Sequence, residues 1–274
     1  MSTQSKRSPT LLSLYRQLKQ LSLGRVRKRE DKQYNIAMLN IKNLSIRYRS
    51  TGQLAVKDVS FDLGEGRILA ILGPSGCGKT TILNAISGLL SRTEATMEGE
   101  IVVENEAGKP KMTTVFQEPR LLPWRTVLQN VAYGLEAKKE SKNEAREKSK
   151  GVIASVQLQK FENYYPSQLS LGMQQRVNLA RALVCNPDIL FLDEPFSALD
   201  IETKANVQAV FKKILTKKKV TTVFVTHNIK EASALADQII VLSKGPASVE
   251  NILDKKKLNE IPKEALNYFE SFDE

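Results

Sequence analysis

The sequence contains only two cysteines, Cys77 and Cys185, among its 274 residues. A disulfide framework is therefore not expected, and the composition fits a reducing compartment. The sequence also lacks any apolar run approaching the roughly 18–20 residues of a membrane-spanning helix. Internal repeats and low-complexity segments are absent. The length fits one large domain or two small ones, with enough apolar residues for a sizeable core.

Acidic residues are missing from residues 1–29, which contain eight Lys and Arg. Because the net charge of the whole chain is +11, most of the excess positive charge belongs to this segment. The rest of the chain is nearly balanced. The basic composition is therefore a weak argument that the folded part binds nucleic acid.

Residues 1–37 are predicted to form a basic extension. Ser8-Pro9 is typical of a helix start and Gly24 of a helix end, and the leucines between them share one helical face, namely Leu11, Leu14, Leu18 and Leu21. Three interpretations of this extension remain open: a solvated tail, an amphipathic helix on an anionic membrane surface or a membrane partner, and an organellar transit peptide.

The chain contains one glycine-rich stretch of the form Gly-x-x-x-x-Gly-Lys-Thr, which is Gly73-Pro74-Ser75-Gly76-Cys77-Gly78-Lys79-Thr80-Thr81. Segment 67–72 before it has the length of a buried strand, and segment 80–90 after it has helical spacing. Glycines let backbone N–H groups surround phosphate oxygens, and the amino end of a helix adds positive charge. This pattern predicts a nucleotide site in which Lys79 contacts the β- and γ-phosphates and Thr80 ligates Mg²⁺. The buried side of the helix is predicted to carry Ile82, Ala85, Ile86, Leu89 and Leu90.

A second apolar strand is predicted over 189–192 and ends in two acids, Asp193 and Glu194. Nucleotide-bound Mg²⁺ needs a hard oxygen ligand at a strand end, which suits Asp193. Glu194 follows at the carboxyl edge, where ligands of open α/β sheets bind, and can polarise a water for attack on the γ-phosphate. Together with the glycine-rich stretch, these acids predict nucleotide hydrolysis.

Strands alternate with helices along most of the chain, which indicates an α/β fold with a parallel-sheet core. Strands are predicted over 39–49, 55–63, 101–104, 113–116, 220–225 and 239–242, and helices over 127–160, 171–185 and 202–215. The helical block at 127–180 interrupts the alternation and indicates an inserted helical subdomain.

These motifs resemble the ATP-binding cassette (ABC) superfamily over about residues 38–245. The stretch Leu169-Ser170-Leu171-Gly172-Met173-Gln174-Gln175-Arg176 is similar to the ABC signature, which other phosphate-loop families lack. Gln117 matches the Q-loop glutamine, Ser197-Ala198-Leu199-Asp200 the D-loop, and His227 the switch histidine. Tyr48 lies where the family places an aromatic ring that stacks on adenine. Segments 116–124 and 193–200 further resemble importer ATPases for nitrate, sulfonates and taurine.

The resemblance implies an ABC-type phosphate-loop ATPase domain over 38–253, with an N-terminal antiparallel β subdomain and a helical subdomain at about 120–185. Residues 254–274 are expected to form a charged tail. The resemblance also implies a head-to-tail homodimer, with ATP between the phosphate loop of one copy and Ser170 and Gly172 of the other.

Roles in hydrolysis are likewise implied by the resemblance. Glu194 would position or activate water, His227 would steady the γ-phosphate, and Lys79 would neutralise developing charge. Asp200 would connect the two sites of the dimer. The implied Mg²⁺ ligands are Thr80, Gln117 and Asp193.

Partners follow from the same resemblance. A separate membrane permease is expected to contact the segment near 117–126, which includes Trp124, and a substrate-binding protein is expected to act with it. The expected solute is small and anionic, the expected location is the cytoplasmic face of the inner membrane, and no nucleic acid is expected. An organellar location remains open if residues 1–35 are a transit peptide. The alternative functions are a non-import ABC ATPase, in lipid trafficking, cofactor assembly or nucleic-acid maintenance, and a membrane-surface adaptor with vestigial ATP binding.

Leu171 departs from the family pattern, because the signature usually has its first glycine at this position. Its side chain is expected either to point into the helical subdomain or to crowd the nucleotide of the partner.

Overall fold

The computed structural model describes residues 37–254 apart from 106–107, 137, 139 and 198. The predictions for the basic extension and the charged tail therefore concern residues that lie almost entirely outside the described part, and the predicted domain boundaries stay predictions. Within the described part, no helix is both long enough and apolar enough to cross a bilayer.

Nine strands and six helices occur in the described residues. The strands are β1 Ala37–Tyr48, β2 Leu54–Gly64, β3 Ile68–Leu72, β4 Ala95–Val103, β5 Met112–Val115, β6 Ile189–Asp193, β7 Thr221–Thr226, β8 Gln238–Leu242 and β9 Val249–Asp254. The helices are α1 Lys79–Ile86, α2 Val127–Glu136, α3 Lys142–Ser155, α4 Leu171–Leu183, α5 Ile201–Lys218 and α6 Ile229–Leu235.

The strands form two sheets. The smaller is antiparallel in the order β2-β1-β4, and the larger has the order β5-β6-β7-β3-β8-β9. All pairs in the larger sheet are parallel except β8 with β9. The predicted α/β fold with a parallel core and an N-terminal antiparallel sheet is confirmed, and helices α2 to α4 are inserted between β5 and β6.

Strand β3 lies between β7 and β8 within the larger sheet, and both of its faces are buried. Ile68, Ala70 and Leu72 belong to the apolar cluster that the helices α2 to α6 cover. Leu69 and Ile71 face the second cluster, which includes α1 and the small antiparallel sheet. A strand buried on both faces consists of apolar residues throughout, as parallel strands commonly do. The phosphate-loop motif therefore starts from a rigid position.

Several predicted boundaries were wrong. Helix α1 ends at Ile86, because Gly88 adopts a left-handed φ of 76° and turns the chain. Leu89, predicted on its buried side, is instead 47% exposed. Strand β4 begins at Ala95 rather than at residue 101, because pairing with β1 overrides the charged and glycine residues in its first half. The short helix α6 and the antiparallel strand β9 were missed.

We expect Gly151→Ala to raise the free energy of unfolding by about 1 kcal/mol, because Gly151 lies inside α3 and alanine loses less backbone entropy in a helix. A Cβ built at this position meets no atom within 4 Å. Urea denaturation of the two proteins measures the difference. Gly134→Ala in α2 is the matched control and should destabilise the protein, because its Cβ would lie 2.6 Å from Sγ of Cys185. Equal changes in the free energy of unfolding for both variants would contradict the difference expected between the two helix positions.

Candidate functional site

The glycine-rich loop joins β3 to α1 at the carboxyl edge of the larger sheet. Gly76 and Gly78 have φ values of 72° and 121°, which side-chain-bearing residues rarely adopt. A Cβ on Gly78 would also lie 2.8 Å from the carbonyl oxygen of Ala55. The loop thus requires glycine for its backbone path, and this path leaves backbone N–H groups available to an anion.

Cys77 belongs to the core rather than to the open face of the loop. Its side chain is buried in the cluster beneath α1, and burial raises the pKa of the thiol. A Cβ on Gly73 would lie 3.0 Å from the Cys77 sulfur, so the two residues pack closely. The side chain of Cys77 is therefore not available to a ligand, and its backbone N–H donates to the carbonyl oxygen of Pro74.

Lys79 is held by its own loop. Its buried Nζ donates hydrogen bonds of 2.9 Å to the carbonyl oxygens of Gly73 and Pro74. The ammonium group therefore lies within the phosphate loop, while its predicted contact with the β- and γ-phosphates stays a prediction.

Thr80 and Asp193 meet although 113 residues separate them. The Thr80 hydroxyl donates a 3.0 Å hydrogen bond to Oδ1 of Asp193. Burial raises the pKa of the Asp193 carboxyl, the Thr80 bond lowers it in part, and the charge of Glu194 raises it further. A hydroxyl and a partly buried carboxylate at contact distance are a fitting donor set for Mg²⁺.

Glu194 and His227 follow neighbouring strands, β6 and β7. Oε1 of Glu194 lies 3.4 Å from Nδ1 of His227. Glu194 has a φ of 40°, uncommon for a residue with a side chain, and its backbone N–H donates to the carbonyl of Val225. Strained backbone of this kind is concentrated at functional sites, where the surrounding structure holds it.

Gln117 is joined to the turn that follows Glu194. Its Nε2 donates to Oγ of Ser197 at 3.0 Å, and that hydroxyl donates to the carbonyl oxygen of Glu194. The amide of Gln175 in turn donates to the carbonyl oxygen of Gln117 at 2.7 Å. Gln117 therefore lies beside the acidic strand end, while its predicted role as a metal ligand stays a prediction.

Tyr48 lies against the helix that follows the phosphate loop. Its hydroxyl shares a 3.0 Å hydrogen bond with Oγ1 of Thr81, and the ring is half-buried at the end of β1. The predicted stacking on adenine stays a prediction, but the contact fixes an aromatic ring beside the loop.

The signature stretch begins α4. Oγ of Ser170 accepts a hydrogen bond from the backbone N–H of Met173 and so caps the helix. A Cβ on Gly172 would lie 2.3 Å from Cγ2 of Thr203, so α4 and α5 are in close contact here. Leu171 is 39% exposed, so it is not buried in the helical subdomain.

Asp200 caps the neighbouring helix α5, because its Oδ1 accepts a hydrogen bond from the backbone N–H of Thr203. Since Thr203 also packs on Gly172, the structure places Ser170, Gly172 and Asp200 in one region formed by two helix amino ends.

The sequence did not predict the buried residues that support His227. Glu231 is buried, accepts a 2.7 Å hydrogen bond from the Thr226 hydroxyl and lies 2.9 Å from Nζ of Lys204. These contacts join α5 to the chain on both sides of His227. The sequence did contain a signal for the helix that includes Glu231, because Asn228 is a typical helix cap and a short amphipathic segment follows it.

Comparisons with known proteins agree with this geometry. The model of the ABC transporter family matches residues 56–197. The chain is 40% identical over 236 residues to an aliphatic sulfonates import ATP-binding protein of Bacillus cereus, covering 81% of this chain and 91% of the relative. It is 40% identical to a taurine import ATP-binding protein of Yersinia pestis, covering 77% and 82%.

A solved structure shows the same fold. It is an ATP-binding cassette that is 34% identical to this chain, in a dimeric post-hydrolysis state bound to ADP and Pi. The TM-score is 0.67, and the match covers 80% of this chain and 99% of that chain. The chain described here therefore belongs to the ABC transporter family, and it is an ATPase coupled to transmembrane transport.

Proposed function

We propose that this chain powers the import of a small anionic solute through a separate permease. The observation that carries the ATPase part is the arrangement at the carboxyl edge of the larger sheet. Thr80 bonds Asp193 there, and Glu194 lies 3.4 Å from His227. This arrangement supports the roles assigned to Thr80, Asp193, Glu194 and His227. In this proposal hydrolysis depends on positioning and electrostatics rather than on a covalent intermediate.

The phosphate loop supplies the binding step. Its backbone N–H groups and the amino end of α1 would surround the β- and γ-phosphates, while Lys79 exchanges the carbonyls of Gly73 and Pro74 for phosphate oxygens. Thr80 and Asp193, with Gln117 nearby, would hold Mg²⁺, which supplies charge neutralisation at those phosphates. The described residues contain no cluster of three or more His, Cys, Asp or Glu that could hold a metal elsewhere.

Glu194 and His227 supply the chemical step. The Glu194 carboxylate would orient the attacking water and accept its proton, and His227 would donate a hydrogen bond to the γ-phosphate. Tyr48 would stack on the adenine.

A second copy completes the site in this proposal. The dimeric relative bound to ADP and Pi supports a dimer in this family. Ser170 and Gly172 lie at the amino end of α4, where N–H groups and a hydroxyl suit a phosphate. They would contact the nucleotide held by the phosphate loop of the partner, and Asp200 would join the two sites.

The permease contact is assigned to the segment 117–126. Trp124 within it is 71% exposed, although large aromatic residues usually bury most of their surface. The guanidinium of Arg181 in α4 donates to the carbonyl oxygens of Pro119 and Arg120 at 2.9 Å. Force on this segment would therefore reach the helix that begins with the signature.

The solute and the location of this chain are proposed from its relatives. Those quoted above import aliphatic sulfonates and taurine, which supports a sulfonate-like anion as solute and a peripheral position on the cytoplasmic face of the membrane. A substrate-binding protein is expected to select the solute.

Purification from detergent-solubilised native membranes tests the import part. We expect a polytopic permease to accompany the wild-type protein and to be lost from Trp124→Ala, because the indole is the main exposed apolar contact of the segment. ATP hydrolysis by the isolated variant should be unchanged. Leu89→Ala, at an exposed apolar residue after α1, is the matched control and should retain the permease. A soluble partner, or none, in the wild-type sample would contradict import.

A further inference from the structure

A cavity of about 980 Å³ lies at the end of α4 that is opposite to the signature. It separates the inserted helices α2 and α3 from α5 and from the residue that precedes β5. Its floor is apolar and includes Leu135, Val152, Leu183 and Ile214. None of the site residues described above lines it. Its size falls in the range of small-molecule sites.

Charge around the cavity is strongly positive. Five lysines line it, and Glu140 is its one acidic residue among those described. Glu140 is already paired with Lys148 at 2.7 Å. The described residues provide no ion pair for the other four lysines, which are Lys111, Lys138, Lys217 and Lys218. The carboxyl ends of α4 and α5 offset only about one of these charges, because each helix end carries about half a negative charge.

The five lysines are exposed residues at the rim of the cavity, whereas its apolar floor is buried. Partial desolvation lowers the pKa of Lys218, whereas a nearby anion would favour its charged form. Nζ of Lys138 donates to the carbonyl oxygen of Cys185, so this ammonium is held at the cavity wall. An apolar floor with a rim of ammonium groups is complementary to a molecule with an aliphatic body and an anionic head.

We propose that this cavity binds a small amphiphilic anion and that its occupancy slows ATP hydrolysis through α4. The helix is about 20 Å long and begins at Ser170, while its other end contributes Leu183 to the cavity. Between these ends, Gln175 and Arg181 bond the carbonyls of Gln117, Pro119 and Arg120. A ligand that draws the inserted helices and α5 together fixes the carboxyl end of α4, and thereby the signature and the Gln117 segment. The proposed slowing of ATP hydrolysis, the regulatory half of this proposal, rests on the proposed function. The proposed binding of the anion does not.

Calorimetry on the nucleotide-free, full-length chain tests binding, with octane-1-sulfonate as probe. Inorganic sulfate supplies the charge without the aliphatic body, and octan-1-ol supplies the body without the charge. We expect one molecule of octane-1-sulfonate to bind, at least about tenfold more tightly than either comparison compound. Equal affinity for sulfate would reduce the effect to adventitious ion binding and overturn the proposal.

Two variants locate the site. Lys217→Gln with Lys218→Gln should weaken octane-1-sulfonate binding by about tenfold. Lys160→Gln with Lys213→Gln removes the same charge from exposed positions outside the cavity and should leave binding unchanged. Equal weakening by both pairs would show a general charge effect and contradict a site.

A third variant adds bulk at the wall of the cavity without changing charge. Gly151 lines it, and a Cβ built there meets no atom within 4 Å. Gly151→Leu should abolish binding while Gly151→Ala retains it, and melting temperatures establish that both variants fold. Retained binding in a folded Gly151→Leu protein would overturn the assignment.

Cys185 provides an internal reporter, since it lines the cavity and Cys77 does not. The anion should slow alkylation of Cys185 and leave that of Cys77 unchanged, as read by mass spectrometry.

ATP hydrolysis tests the regulatory half. Saturating octane-1-sulfonate should slow wild-type hydrolysis by about fivefold and leave Gly151→Leu unaffected. An unchanged rate with proven binding would contradict regulation. A chain that hydrolyses no ATP without the anion would contradict the proposed function and not the cavity. If the chain hydrolyses ATP normally but binds no anion, only the proposed binding site would be contradicted.

Discussion

Replacing Glu194 by Gln is expected to lower the rate of ATP hydrolysis by about 10²- to 10⁴-fold while ATP still binds. The amide has nearly the same shape as the carboxylate, so the strained backbone and the contact with His227 at 3.4 Å remain sterically possible. It cannot accept the proton of the attacking water. The phosphate loop is untouched, and the ATP-bound protein should therefore accumulate as a dimer.

Phosphate release and size-exclusion chromatography with ATP measure both effects. Glu147→Gln, at an exposed position of α3 paired with Lys150, is the matched control and should hydrolyse ATP at the wild-type rate. Full activity of Glu194→Gln would refute the role assigned to this carboxylate. Loss of ATP binding would instead show that Glu194 acts in binding.

Gly172→Ala is expected to lower hydrolysis by about 100-fold, although it adds only a methyl group. That methyl would lie 2.3 Å from Cγ2 of Thr203, so the Thr203 side chain must rotate or the amino ends of α4 and α5 must separate. Overpacking of this kind costs about 1–3 kcal/mol. Displacing a positioning element by about 1 Å can cost about 100-fold in rate.

The added Thr203→Ala substitution should restore most of this loss, to within about tenfold of wild type by the same steric argument. It removes the clashing methyl and leaves Cβ of residue 203 at 3.7 Å. The cap of α5 remains, because Asp200 bonds the backbone N–H of Thr203 and not its side chain. Thr203→Ala alone is the control and should be nearly neutral. A folded double variant as inactive as Gly172→Ala would mean that the alanine obstructs the nucleotide of the partner.

The centre of the site could be predicted from the sequence because its geometry follows from short local patterns. A glycine-rich loop between a buried strand and a helix has few possible shapes, and Asp193 and Glu194 end another buried strand. Carboxyl ends of parallel strands meet at one edge, so the Thr80–Asp193 contact across 113 residues was implied by topology.

The supporting contacts could not be predicted, because they depend on packing between distant segments. Gln175 bonds Gln117 across 58 residues, and the pair Lys204–Glu231 joins two helices whose relative position no local pattern specifies. Strand β9 was missed for the same reason, since it is defined by pairing with β8. For Leu171 the sequence left two alternatives, and exposure in the folded chain removes one of them.

The hydrogen bonds of Lys79 have a consequence for the discrimination among anions. Its ammonium already makes two good hydrogen bonds with Gly73 and Pro74, so an arriving anion must compete with them. A sulfate or sulfonate offers one small group of oxygens and gains little by this exchange. A triphosphate chain offers several groups at once and compensates for both bonds. The phosphate loop should therefore hold a nucleoside triphosphate in preference to a single sulfate or sulfonate group.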